Sequence, residues 1–404
     1  MLSVGCIMIV LVTNIGSTSF KHKLFDMPAE RLIATGDADR IGQGGSAWSI
    51  TVGDQSGEGR LDFADHAAAI EFQLEQLVKL GAITKMDEIE AIGFKAVHGG
   101  DIKEPVRIDD TVLQAMEQFT DIAPSHNPPY IAAMRAFGDR LPEVPQVAAF
   151  ETVYHQTIPL FRQIFAIPYD WTQMGVRRYG FHGASHRYIA TRMGQIAPDA
   201  KKLISCHLGG SCSISAIQDG RSLANSFGMT VQSGVFHNNR VGDFDTWALL
   251  RLLKIEPDLN RIFGRMSREG GLLGISGISP DLREIEEAAA AGNDRAKLAV
   301  DAFVDVCRQY VGAYLTVLDG TDAIVFTGGI GQNGKHVRAA ICDQMGFAGL
   351  KIDPDRNDEA MGGRETRIDA APSEIQLWVI PTNEELIVAR QTFEVLSGEM
   401  THAG

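Results

Sequence analysis

Two short turns carry residue types suited to holding phosphate. The apolar run 9–13 leads into Asn14-Ile15-Gly16-Ser17-Thr18-Ser19-Phe20, and the run 203–206 leads into His207-Leu208-Gly209-Gly210-Ser211-Cys212-Ser213-Ile214. Each reads as a strand, then Asn or His, an apolar residue, a glycine, and a hydroxyl-bearing turn into a second strand. Glycine removes the Cβ that would block an approaching ligand, so backbone N–H groups and hydroxyls can converge on phosphate oxygens. Gly and Ser also build ordinary hairpins. Two copies half a chain apart suggest duplicated domains, each with a phosphate-holding turn.

A third glycine cluster follows the apolar run 323–327: Gly328-Gly329-Ile330-Gly331-Gln332-Asn333-Gly334-Lys335-His336. It spells GxGxxG and also the first seven positions of a P-loop. The P-loop reading fails because His336 stands where a Ser or Thr must ligate Mg²⁺. The dinucleotide reading fails because that motif opens a βαβ unit, whereas this one comes late in the chain behind a long helical stretch. A strand feeding a Gly-rich turn at a helix start suits a nucleotide, and a purely structural turn is the alternative.

Positioning such turns takes strands and helices in alternation. Strands are expected at 7–13, 91–97, 146–150, 203–207, 323–327 and 376–380. Helices are expected at 67–80, 184–197, 244–254, 285–291, 294–318 and 384–397, a pattern that implies an α/β protein. The Gly- and Asp-rich stretch 28–60 reads as an antiparallel excursion.

At 404 residues the chain has length for two or three domains, and 45% hydrophobic with 22% charged residues is an ordinary globular composition. With 37 Lys plus Arg against 51 Asp plus Glu, the net charge of −14 argues against nucleic acid as a partner. The five scattered cysteines (Cys6, Cys206, Cys212, Cys307, Cys342) form no CxxC pair and fit a reducing, cytoplasmic setting. The most apolar stretch, 4–13, is too short to span a membrane and lacks signal-peptide flanks, so it reads as a buried strand.

Taken together and in order, the motifs resemble the acetate kinase family, within the acetate and sugar kinase/Hsp70/actin superfamily. They are Asn14-Ile15-Gly16-Ser17-Thr18-Ser19-Phe20-Lys21, Val97-His98-Gly99-Gly100, Ala123-Pro124-Ser125-His126-Asn127-Pro128-Pro129, Arg178-Tyr179-Gly180-Phe181-His182-Gly183, His207-Leu208-Gly209, Arg240 with Gly242-Asp243-Phe244-Asp245, Asp281-Leu282-Arg283, and Thr382-Asn383-Glu384-Glu385. The resemblance implies two duplicated ribonuclease H-like domains flanking a nucleotide cleft, 1–151 with a returning helix 385–404, and 152–384. It also implies a homodimer, with ATP or ADP as co-substrate and Mg²⁺ as cofactor. The activity implied is reversible phosphoryl transfer from ATP to acetate.

By the same resemblance Glu151, His182 and Arg240 are catalytic, and Lys95, His126, Phe181 and Val231 bind the acid. Asn14 and Glu384 serve the metal. Lys21, His207, Leu208, Gly209, Gly210, Ser211, Asp281, Leu282, Arg283, Gly329, Ile330, Gly331, Gln332 and Asn333 bind the nucleotide.

The chain departs from the family pattern where Lys95 replaces an arginine, Glu151 an aspartate and Val231 a proline, and where Ser125 replaces an apolar residue. Lysine keeps the charge and loses the planar fork. Glutamate moves the carboxylate out by one methylene. Propionate or another short acid is therefore an alternative acceptor. A superfamily sugar kinase and a catalytically weakened nucleotide-binding regulator are the rival readings.

Overall fold

The apolar run near the N-terminus becomes β1 (Met8–Ile15), and its two faces explain why it is apolar throughout. Met8, Val10 and Val12 pack with Val388, Ala389 and Phe393, while Leu11 and Ile15 join Phe94, Tyr130 and Phe137 on the other side. A strand covered on both faces needs no polar alternation. The computed structural model describes residues 7–398, so positions 4–6 of that run and 399–404 of the expected C-terminal segment lie outside the described residues.

The chain divides into two compact units, the first running to Val153 and resuming at Asn383, the second being Tyr154–Thr382. Glu384, placed by sequence at the end of the second domain, opens the helix Glu384–Ser397 of the first unit.

The first unit contains β1, β2 (Ser19–Met27), β3 (Arg31–Asp39), β4 (Ser46–Val52), β5 (Gln55–Leu61), β6 (Ala91–Phe94), β7 (Val106–Arg107) and β8 (Gln146–Ala148). They form one sheet in the order β5-β4-β3-β2-β1-β6-β8-β7. β1 pairs antiparallel with β2 and parallel with β6, and β6 pairs parallel with β8. The excursion read from 28–60 is the antiparallel β3-β4-β5 extension.

The second unit contains β9 (Lys202–Leu208), β10 (Cys212–Gln218), β11 (Arg221–Asn225), β12 (Ala323–Thr327), β13 (Thr366–Arg367) and β14 (Gln376–Val379), in the order β11-β10-β9-β12-β14-β13. Its central pattern repeats the first: β9 pairs antiparallel with β10 and parallel with β12, which pairs parallel with β14. The two phosphate-type turns thus occupy the same place in two copies of one topology, the β1–β2 and β9–β10 hairpins. The fold is α/β with duplicated ribonuclease H-like cores.

The helix Asp294–Leu318 shows how the second core is built. Asn293 caps it by accepting from Ala296 N, and Ala296, Ala299, Phe303, Cys307, Val311, Tyr314 and Leu318 recur every three or four residues as its buried face. That face meets Ile204, Cys206 and Leu208 of β9 and Cys212, Ile214 and Ala216 of β10. The alternate residues of the same strands, Ser205, His207 and Ser213, are thereby turned to the opposite face of the sheet.

One expected helix fails. Only Ala248–Leu252 of 244–254 is helical, because Phe244, Trp247 and Leu250 are exposed instead of forming a buried stripe.

Candidate active site

In the first unit, the β1–β2 turn is tightened by Gly16 N donating to Ser19 O at 2.8 Å, and a Cβ at Gly16 would collide with Ser19 Oγ. Tyr130 accepts from Ile15 N at 3.0 Å and donates to Asn14 Oδ1 at 3.3 Å, orienting the amide at the end of β1. Lys21 stands opposite Asn14 in the ladder, on an exposed position of β2.

The helix start at Glu384 brings two carboxylates to this region. Lys95 forms an ion pair with Glu384, and its Nζ lies 3.7 Å from Glu151 Oε1. Burial opposes the Lys95 charge, but Glu384 and then Glu151 outweigh it and hold the ammonium well above its usual pKa. Lys23 similarly pairs with Glu385 at 2.9 Å. Burial raises the Glu385 pKa, while Lys23 and Lys95 more than compensate and lower it. His126 precedes the helix Asn127–Arg140 as its N-terminal flanking residue, followed by prolines at the first turn.

The second unit assembles a histidine and hydroxyl cluster. His182 adopts a left-handed backbone (φ 57°) immediately before the helix Gly183–Ile196. Its Nδ1 is hydrogen-bonded to Ser213 Oγ at 2.8 Å, and the same hydroxyl meets His186 Nε2 at 2.8 Å. His186 Nδ1 reaches Ser205 Oγ at 2.9 Å. His207 Nδ1 meets Ser185 Oγ at 2.8 Å, and its ring lies 4.1 Å from that of His182.

His155 lies beneath. Because a carbonyl only accepts, its Nε2 donates to Phe181 O at 2.9 Å, leaving Nδ1 to accept from Ser222 Oγ at 2.8 Å. Burial lowers the His155 pKa to about 4 and that of His186 well below its ordinary value, so both rings are neutral near pH 7.

Half-buried Arg240 donates from Nη1 to Ser211 Oγ at 3.2 Å, and among the described residues no carboxylate pairs with it. Burial lowers its pKa, but a guanidinium remains charged. Cations without a protein counter-ion suit an anionic ligand.

The expected nucleotide segments 207–211 and 329–333 adjoin in this unit. A Cβ on Gly328 (φ 76°) would lie 2.5 Å from Leu208 O, so glycine is required where β12 turns against the end of β9. Gly329 is exposed, Gly331 is buried, and Asn333 Nδ2 donates back to Gly329 O at 3.0 Å. Asp281 caps the helix Leu282–Ala290 by accepting from Arg283 N at 3.0 Å and pairs with the exposed Arg283 side chain.

Two of the residues expected here, Leu208 and Leu282, send their side chains into the core, leaving only their backbones for a ligand. Phe181 is likewise buried, edge-on to Phe227 at 5.7 Å, and Val231 is half-buried.

Comparison with known proteins decides the family. The pattern of the acetokinase family matches residues 9–390. The chain belongs to the acetokinase family. It is 41% identical to an acetate kinase of Phocaeicola vulgatus over 399 residues, covering 96% of this chain and 99% of that one. The crystal structure of Porphyromonas gingivalis acetate kinase superposes with a TM-score of 0.88 at 38% identity, covering 96% of this chain and all of that one. A propionate kinase from Francisella tularensis superposes with a TM-score of 0.89 at 32% identity, over 96% and 100% of the two chains. As an acetokinase, the protein is a phosphotransferase with a carboxyl group as acceptor.

Several residues of this acetokinase were passed over in sequence. Tyr130 orients Asn14, and Ser213, Ser185 and His186 orient His182 and His207. The alternation of Ser205, His207 and Ser213 with core residues was the available signal, since a hydroxyl or imidazole at every second strand position marks one polar face.

Proposed function

We propose that the protein transfers the γ-phosphoryl group of ATP reversibly to acetate or a similarly short carboxylic acid. A carboxylate oxygen forms the new P–O bond while the bond from the γ-phosphorus to the β,γ-bridging oxygen breaks, and that electron pair leaves with ADP. The acceptor is already an anion, so no proton needs removal. The work left to the protein is alignment and the balancing of negative charge.

The family match over residues 9–390 carries this reading, because every residue given a role falls inside it. Arg240 and His182 are the groups we assign to the phosphoryl oxygens, and Glu151 to the reacting centre. Lys95, His126, Phe181 and Val231 are assigned to the acid. Lys21 and segments 207–211, 281–283 and 329–333 are assigned to the nucleotide.

Mg²⁺ fits as the cofactor. Among the described residues no group of three or more His, Cys, Asp or Glu side chains is arranged to hold a metal. Mg²⁺ typically takes one or two protein oxygens and completes its shell with water and phosphate. The carboxylate of Glu384 and the amide oxygen of Asn14 are such donors, and Mg²⁺ when bound would offset phosphate charge.

The family resemblance implies a homodimer, and the exposed Phe161, Tyr169, Trp171, Met174, Trp247 and Ile255 of the second unit are apolar side chains that such a contact would cover. The four described cysteines are thiols and no described helix is long and apolar enough to cross a membrane, which is compatible with a cytoplasmic enzyme.

Propionate is the second acceptor to test, favoured by Ser125 and Val231 in the motifs and by the likeness to the Francisella propionate kinase. Phosphorus NMR of enzyme, ATP, Mg²⁺ and acetate should develop an acyl phosphate resonance as ADP appears. ADP with inorganic phosphate alone would contradict the proposal.

A further inference from the structure

Arg338 is fully buried, with 0% of its surface exposed, yet no described carboxylate forms an ion pair with it. All five of its N–H groups end on oxygen. Nε donates to Asn357 Oδ1 at 2.8 Å, Nη1 to Gly331 O at 2.9 Å and Gln332 O at 2.8 Å, and Nη2 to Asn357 O at 2.8 Å and Ala360 O at 3.0 Å. A guanidinium has five donors, so its capacity is used completely.

The four carbonyls explain how an enclosed charge is tolerated with no acid in direct contact, the nearby Asp358 carboxylate adding its attraction. Gly331 and Gln332 lie in the last turn of the helix Gly328–Asn333, and Asn357 and Ala360 lie at the end of the helix Pro354–Glu359. Terminal carbonyls lack partners within their helix and carry partial negative charge, so one cation neutralises two helix ends. Burial lowers the Arg338 pKa to about 10, leaving it charged at neutral pH. Asn357 extends the clamp by donating from Nδ2 to Lys335 O at 2.9 Å.

We propose that Arg338 is a positioning residue for the nucleotide: by tying Gly331 and Gln332 to residues 357–360, it fixes the Gly-rich turn against which an adenine nucleotide rests. The proposal rests on the assignment of 329–333 to the nucleotide. Gly329 and Asn333 are the exposed residues of that turn, with Ile330 and Gln332 half-buried, and Arg338 reaches it through the carbonyls of Gly331 and Gln332. Its effect is on the cost of ordering the turn, which a pre-organised site avoids at binding. A residue important only for folding would alter melting without favouring one substrate over the other.

Calorimetric titration with ADP, together with half-saturation for ATP and acetate, separates these roles in Arg338→Met, Arg338→Lys and Asn357→Ala. Loss of a buried partner predicts ADP binding about tenfold weaker in Arg338→Met. Arg338→Lys should recover part of that loss, Asn357→Ala should fall between it and wild type, and acetate half-saturation should stay within about twofold. Hydrogen exchange at 328–333 should quicken in step.

Should Arg338→Met fail to fold, the other two variants retain the test. ADP affinity equal to wild type in Arg338→Lys and Asn357→Ala, with or without lower melting temperatures, overturns the positioning role. Gly329→Val tests the underlying assignment separately, since a Cβ at Gly329 meets nothing within 4 Å and should not disturb the fold. Unchanged ADP binding in Gly329→Val removes the nucleotide from this turn. Weakened binding there, with none in the Arg338 and Asn357 variants, rejects the Arg338 role alone.

Discussion

Lys95 Nζ lies 3.7 Å from Glu151 Oε1 while also pairing with Glu384, so one ammonium balances two largely buried carboxylates. Glu151 and Glu384 side chains are 6% and 12% exposed, which makes their charge expensive without the lysine. Lys95→Met should therefore destabilise the protein by about 3–5 kcal/mol. Urea unfolding of both proteins measures it, and equal midpoints would show that Lys95 is not the counter-ion.

The same three residues set the response to restoring the usual family side chains. Lys95→Arg and Glu151→Asp together should raise turnover with acetate, the arginine fork compensating for the carboxylate drawn back by one methylene. Each single change should do less. Turnover on acetate and propionate for all four proteins tests this. A fall on every acid would mean that Lys95 and Glu151 form a matched pair for this chain.

Arg240 should act where charge redistributes and contribute little to folding, since among the described residues its guanidinium donates to the Ser211 hydroxyl and pairs with no carboxylate. Arg240→Ala should lose about 2.7–4 kcal/mol of transition-state stabilisation, roughly 100- to 1000-fold in turnover. ADP affinity and melting temperature should be close to wild type. Steady-state kinetics with ADP titration will show it, and near-normal turnover would remove Arg240 from the chemistry.

Stability should fall in acid because histidines are buried neutral. Burial lowers His22 and His155 to about 4, against 6.5 for the free side chain. Below pH 6.5 the unfolded chain gains protons that the folded one refuses, so stability is complete above that pH and declines toward pH 4. The slope is up to about 1.4 kcal/mol per pH unit for each such histidine. Melting temperatures from pH 7.5 to 4.5 should trace this decline, and His22→Gln should flatten it. A flat wild-type profile would contradict the buried neutral state.

The sequence was most legible where one local rule acted alone. The helices Asp294–Leu318 and Glu384–Ser397 match their expected limits because an Asn at position 293 or 383 starts each pattern and the apolar spacing persists to the end. The helix Asn127–Arg140 went unread because Asn127-Pro128-Pro129 looks like a turn, although proline suits a first helical turn. Residues 244–254 misled in the opposite sense, their apolar side chains being on the surface.

Within the proposed site, His182 and Arg240 were visible through motifs, whereas Ser213 stood in the 207–214 turn with no role of its own and Arg338 lay outside every motif. Serine in a strand and arginine in a helix are ordinary solvated residues until tertiary structure buries them. Only the fold reveals that Ser213 joins two imidazoles and that Arg338 closes two helix ends.

Acyl kinase activity is measured most directly by hydroxylamine trapping of acyl phosphate with ATP and Mg²⁺ across formate, acetate, propionate, butyrate and longer acids, using Arg240→Ala as the control. Hydroxamate should form with acetate or propionate, less as the chain lengthens, and almost none with Arg240→Ala. No hydroxamate from any short acid at high enzyme and substrate concentrations, while ADP still binds, would contradict the proposed function and identify a nucleotide-binding protein without acyl kinase activity.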